Sequence, residues 1–258
     1  MPAEIHPTAI VASGATLGDG VRIGPFAIVE GDVVIGDGTE VFPHAIILSG
    51  SHIGRECRIY PSAVIGAAPQ DLKYDGSPTR VVVGDRTTIR EFATLNRASH
   101  TDATRVGSDC LIMAYVHVAH DCIIGDHVVI ANAVQLGGHV EIGDWAVLGG
   151  TAKVHQFCRI GKHAMVAADA MITKDVPPYA LVGRDPVKVE GINRIGLQRR
   201  GFSAEQIEAL ETFYSIAFFS GFNMSDGIAE YRRRNPSPNG VVADVIEFVE
   251  RSERGVYR

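Results

Sequence analysis

The sequence predicts an all-β solenoid, a parallel β-helix of hexapeptide repeats, followed by a smaller α-helical region. Three observations predict it. Aliphatic residues recur every six positions over most of the chain, glycine fills a second fixed position of that six, and beyond Pro177-Pro178 helical spacing takes over. Glycine makes up 28 of 258 residues, about 11% against roughly 7% in average proteins, so the excess needs a structural cause.

The repeat starts at Ile5 and runs through Val11, Leu17 and Ile23 to Ile65. It resumes in phase at Val83, Ile89 and Leu95, shifts, and continues from Val106 to Ile172. Twenty-six positions obey it, all Ile, Leu or Val. A period of six fits neither a 3.6-residue helix nor a heptad. It fits short strands joined by tight turns, with inward aliphatics stacking from coil to coil. The second position is glycine at twelve repeats, which predicts corners that need glycine's backbone freedom. The fifth position is small. Cys57, Cys110, Cys122 and Cys158 all occupy it and no CxxC pair exists, so the cysteines are expected as buried small hydrophobes in a reducing compartment. Segments 66–82 and 96–105 interrupt the repeat, and long loops on a rigid scaffold tend to carry function.

The solenoid is assigned to residues 1–178 and a helical domain to 179–258. In the latter, Ser203 and Gln206 have capping-box spacing. They open an apolar-periodic run of Ile207, Leu210, Phe213, Tyr214, Ala217 and Phe218 that ends near Gly221. Further helices are expected over 225–234 and 240–252, separated by NPSPNG.

Net charge is −6 and belongs wholly to the first part, with 13 Lys/Arg against 19 Asp/Glu before residue 179 and 11 of each after it. An acidic balance argues against general binding to nucleic acid or anionic membrane. No run of about 18 apolar residues predicts a membrane span. The start, MPAEIHPTAI, lacks the basic and apolar regions of a signal peptide, so a cytoplasmic protein is expected. The tail gathers Arg194, Arg199 and Arg200 before its first predicted helix, and clustered guanidinium groups suit phosphates.

Three hexads make about one turn, so residues 18 apart are neighbours. On that spacing His117, His120, His139 and His155 fall along one band, with Asp121 eighteen residues before His139. A histidine can serve as general base and a carboxylate beside it can orient it. Zinc is the rival reading, since three imidazoles can hold a catalytic ion. A hexapeptide solenoid with three histidines resembles gamma-class carbonic anhydrases, but those pair two histidines five residues apart, whereas His117 and His120 are three apart.

Specific segments go further: IGPFAIV (23–29), QDLKY (70–74), PTR (78–80), IRE (89–91), VAHDC (118–122), GGHV (137–140), VHQFC (154–158), DVPPY (175–179) and RRGF (199–202). Through them nearly the whole chain resembles the UDP-N-acetylglucosamine O-acyltransferases that open lipid A biosynthesis. The resemblance implies a homotrimer of left-handed parallel β-helices with active sites between subunits. It implies transfer of an (R)-3-hydroxyacyl chain from acyl carrier protein to the sugar 3-hydroxyl by direct attack. No cofactor is implied beyond the carrier's own phosphopantetheine, and no metal. On these residues His120 would be the general base, Asp121 its support and the Gly138 N–H the oxyanion donor. His117, His139, His155 and Gln156 would line the acceptor and acyl groove. Asp71 and Lys73 would hold sugar and donor, and Asn193, Arg199 and Arg200 the nucleotide or phosphopantetheine. Ala168 stands where the family sets acyl-chain length. Two departures are Asn193-Arg194-Ile195, where the family often has Asn-x-Glu, and Asn96-Arg97-Ala98, where it commonly has His-Arg-Gly. An acidic carrier would need a local basic patch, for which the tail arginines or Arg97 and Arg105 are candidates. The alternatives are transfer to a 3-amino sugar, a related N-acyltransferase, and more distantly the zinc protein or a non-catalytic solenoid.

Overall fold

Two-residue strands follow one another at intervals of six and enter three sheets in turn. Each carries an outward residue and then an inward aliphatic, as in exposed Arg22 beside buried Ile23. The sheets contain eleven, nine and eight strands among the described residues, parallel except for one terminal antiparallel pair. Partners such as Arg22 and Glu40, or Ile23 and Val41, lie eighteen residues apart, so three strands complete a circuit and each circuit stacks on the last. The inward column, including Ile47, Ile65, Ile89, Ile130 and Leu148, is wholly buried. This is a computed structural model, and it describes residues 1–236 and 240–258. The centre of the expected NPSPNG connection, residues 237–239, lies outside the described residues.

The corners correct one expectation. Of the twelve second-position glycines only Gly66 has a positive φ. The left-handed residue is instead the fourth of the six, and it is mostly not glycine: Phe26 (60°), His44 (63°), Trp145 (63°) and His163 (57°) are examples. The second-position glycines answer to crowding. A Cβ on Gly36 would stand 2.7 Å from the Gly54 carbonyl carbon, and one on Gly149 would stand 2.4 Å from the Ala168 nitrogen. Adjacent circuits approach too closely there for any side chain. Many fourth-position side chains stack on one another along the corners. His127 and Trp145 have ring centroids 4.0 Å apart, and His163 and Tyr179 5.5 Å apart. All four cysteines are buried in the fifth position, and the Cys57 and Cys110 thiols each donate to a carbonyl of the next circuit at 3.1 Å.

The first sheet does not stop at Pro178. Strands Ala180–Gly183 and Lys188–Ile192 extend it as its antiparallel pair, so the helical part begins at Arg194. Helix α1 (Arg194–Arg199) is capped by Asn193. Helix α2 (Ala204–Phe219) starts from the Ser203–Gln206 capping box and buries all six residues of its expected apolar run. Helices α3 (Met224–Arg234) and α4 (Gly240–Glu250) follow. The Tyr214 hydroxyl donates to the Pro178 carbonyl at 2.5 Å and the Tyr179 hydroxyl to Asp244 at 2.7 Å, which fastens α2 and α4 to the last circuit. The C-terminal segment returns to that circuit, where the Thr173 N–H donates to the Tyr257 hydroxyl at 2.8 Å.

Candidate active site

Three consecutive circuits leave the second sheet at the same corner. The first carries the 66–82 segment between strands Val64–Ala67 and Arg80–Val83. The second carries 96–105 between Thr94–Asn96 and Ala103–Val106. The third turns through His120 and Asp121 between His117–Val118 and Ile123–Ile124. Ile59 still pairs with Ile89, and Ile89 with Ile112, so the extra residues loop outward and leave the stack in register.

Asp121 occupies the left-handed fourth position, with φ 60°, and its side chain is wholly buried. One oxygen accepts from the Thr101 hydroxyl at 2.6 Å and the Thr101 N–H at 2.7 Å. The other accepts from the Ser99 N–H at 3.1 Å and from His120 Nδ1 at 2.8 Å. The His100 N–H reaches both, at 3.1 and 3.2 Å. Burial pushes this carboxyl up, but the Thr101 hydroxyl, His120 and the loop N–H groups outweigh it and hold it well below the usual carboxylate range. A carboxylate only accepts, so the proton of neutral His120 sits on Nδ1 and Nε2 keeps its lone pair.

Nε2 lies beside residue 138. A Cβ there would stand 2.5 Å from His120 Cε1 and 2.7 Å from Nε2, so only glycine leaves the imidazole its place. The Gly138 N–H donates to no acceptor among the described residues. His117, His120, Gly138, His155 and Gln156 line one open groove of about 440 Å³. The Thr94 hydroxyl fixes His117 at 2.7 Å, and burial and the neighbouring His120 push the His117 imidazole pKa down. His139 is on the other flank, with Nε2 3.5 Å from Asp121 and its ring stacked between His100 and Phe157. Burial, then His120 and His100, lower its pKa against the pull of Asp121. Asp71 joins the same cluster, accepting from the Ser99 hydroxyl at 3.1 Å and pairing with His100 Nε2 at 3.0 Å. Lys73 is exposed on that loop, and its N–H donates to Asp71 at 3.0 Å.

The remaining sequence-selected residues lie elsewhere in this chain. Ala168 is exposed at the opposite edge of the second sheet, three rungs beyond the strand that leads to His120. Asn193 is engaged as a helix cap, and its amide donates to the His163 carbonyl at 3.0 Å. Arg200 sits over Trp145, 5.3 Å from the ring centroid, at the corner between the third and first sheets. Arg199 is exposed in the same turn. Of the basic-patch candidates, Arg105 pairs with Asp102 at 2.5 Å and Arg97 lies 5.8 Å from the Tyr74 ring centroid.

His120, Asp121 and His139 bring ligand atoms within 4.8 Å of one another. Three such ligands could hold an ion, but both Asp121 oxygens already accept N–H or O–H donors. A cation would have to displace them. The set suits proton transfer, with a buried carboxylate behind an imidazole whose free nitrogen faces an open groove.

Comparison with known proteins bears on the chain as a whole. A family profile described as bacterial transferase hexapeptide (six repeats) matches residues 32–67 and 103–138. One described as UDP-N-acetylglucosamine O-acyltransferase, domain 2, matches 175–257. A Myxococcus xanthus protein named acyl-[acyl-carrier-protein]–UDP-N-acetylglucosamine O-acyltransferase is 47% identical over 258 residues, covering 99% of this chain and all of that one. The chain belongs to the UDP-N-acetylglucosamine O-acyltransferase family. A second member of that name, from Thiobacillus denitrificans, is 43% identical over 99% of this chain and 100% of its own. The crystal structure of a UDP-N-acetylglucosamine acyltransferase from Bacteroides fragilis superposes with TM-score 0.96 at 40% identity, covering 98% of this chain and 99% of that one. Within this acyltransferase chain Ser99, His100 and Thr101 carry no signal in the sequence beyond lying in an interruption of the repeat.

Proposed function

We infer that the protein transfers an acyl group from acyl carrier protein to UDP-N-acetylglucosamine, the first step of lipid A biosynthesis. The observation that carries this reading is the pairing of His120 with a buried Asp121 beside the free Gly138 N–H, in a chain of this family. His120 Nε2 takes the proton from the sugar 3-hydroxyl as its oxygen attacks the thioester carbonyl of an (R)-3-hydroxyacyl donor. The Gly138 N–H donates to the oxyanion that forms. Collapse breaks the C–S bond and the imidazolium returns its proton to the departing pantetheine thiolate. No covalent acyl-enzyme is formed and no metal or other cofactor is used.

The assembly belongs to the same reading. His120 and the Arg199–Arg200 turn occupy different corners of one chain. Three left-handed β-helices around a threefold axis would bring one chain's Asn193, Arg199 and Arg200 toward a neighbour's His120, with Lys73, His155, Gln156 and Ala168 along the shared groove. A cytoplasmic reaction is part of the same proposal, and no described helix is long and apolar enough to cross a membrane. The test is a mass-spectrometric assay with UDP-N-acetylglucosamine and hydroxyacyl carrier proteins of several chain lengths. The expected product is the 3-O-acyl sugar nucleotide, and no acylated sugar at any length would sink the reading. Sedimentation of the same preparation should give a trimer, and a monomer would remove the shared site.

A further inference from the structure

We infer that Thr101 is a positioning residue for catalysis, holding the Asp121 carboxylate so that His120 carries its proton on Nδ1 and turns Nε2 to the groove. The inference rests on the base assignment above and deepens it. Asp121 alone does not settle what His120 does, because a buried carboxylate with few donors can protonate or rotate away. Here the 96–105 loop closes over it, and Thr101 is the one residue that donates twice, through its hydroxyl at 2.6 Å and its N–H at 2.7 Å. Both reach Oδ1, the oxygen away from His120. That leaves Oδ2 to the Ser99 N–H, the longer branch from the His100 N–H, and His120 itself. Thr101 therefore fixes the rotation of the carboxylate, and the rotation decides which oxygen meets Nδ1.

The loop that supplies these donors is braced from the other side. The Ser99 hydroxyl and His100 Nε2 both meet Asp71 Oδ2, on the 66–82 segment. The His100 ring stacks on His139 with centroids 5.7 Å apart. The two interruptions of the repeat are thus tied together directly above the base. A loop that served only to cover the corner would not need four donor groups from three successive residues aimed at one carboxylate.

Thr101→Val keeps the branched shape and removes the hydroxyl, and Thr101→Ser restores it. A hydrogen bond to a charged group is worth about 1.5–3 kcal/mol, so kcat should fall about ten- to a hundredfold in the valine variant. KM for both substrates should stay within about twofold, and serine should recover most of the loss. Nitrogen-15 spectra of histidine-labelled protein should show His120 protonated on Nδ1 in the wild type and the serine variant, and a tautomer mixture with valine. If valine is not accommodated, Thr101→Ala serves the same comparison. A folded valine or alanine variant with kcat within twofold of wild type, or an unchanged tautomer, overturns the inference. The spectra need no substrate, so they decide this point even if the wild type fails to acylate the sugar nucleotide.

Discussion

His120 has room to act because residue 138 has no side chain. Gly138→Ala would place a methyl 2.5 Å from the imidazole, and the ring must move before the backbone does. The expected outcome is a loss of kcat of at least about tenfold with a melting temperature close to wild type, read from kinetics beside calorimetry. His120→Ala should cost more, about a hundred- to ten-thousandfold, again with the fold intact. Near-wild-type turnover in that variant would remove the base assignment. A different histidine contributes a pH dependence to stability. His163 is packed with Tyr179, Phe202 and Arg200, and burial, then Arg200 and Lys162, lower its pKa to about 4 from 6.5. Below about pH 6.5 the unfolded chain therefore binds a proton that the folded chain refuses. Stability should fall as pH drops from about 6.5 to about 4 and stay level above. Denaturant titrations across that range should show a shallower fall for His163→Gln, and an identical slope would exclude His163 as a source. The sequence pointed to His120 and Asp121 because the repeat has no use for them, and because VAHDC is specific. It could not point to Thr101, because a residue inside an interruption has no phase, and only the closed loop shows which carboxylate it faces.

At the scale of the strand and corner, Gly149 and Gly150 are adjacent yet should respond very differently. A Cβ at 149 meets the Ala168 nitrogen at 2.4 Å, whereas one at 150 meets only the Asn132 carbonyl at 3.5 Å. Gly149→Ala should destabilise by about 1–3 kcal/mol through overpacking, and Gly150→Ala should change stability by no more than about 0.5 kcal/mol. Equal effects in urea titrations would mean that crowding is not what keeps glycine in the second position. The repeat was legible in the sequence because twenty-six aliphatics share one phase, but the reason for its glycines was not. Composition cannot distinguish a residue chosen for its backbone from one chosen for its small size. The capping box at Ser203 was legible for the opposite reason, since its bonds are local. The strands Ala180–Gly183 and Lys188–Ile192 were missed because an antiparallel pair carries no period of six.

Over the whole molecule the two ends of the stack differ. Helices and the returning C-terminus cover the last circuit, while strands Glu4–Ile5, Ile10–Val11 and Thr16–Leu17 each have a partner on one side only. Inward Ile5 is 47% exposed and inward Val11 and Leu17 are only half-buried, against 0% for inward Ile130 and Leu148. Stability in such a stack is a sum over neighbours, so protection should be graded along the axis. Amides of residues 4–17 should exchange with solvent orders of magnitude faster than those of 112–148 in hydrogen-exchange mass spectrometry, and uniform protection would contradict the grading. The corner that holds the site has its own consequence. It accepted two insertions of unequal length, and the strands on either side met the partners they would have met without them. The vertex is a port. Material can be spliced in or trimmed there without the ladder having to be rebuilt, which leaves descendants of such a chain free to change what they recognise while inheriting the same architecture.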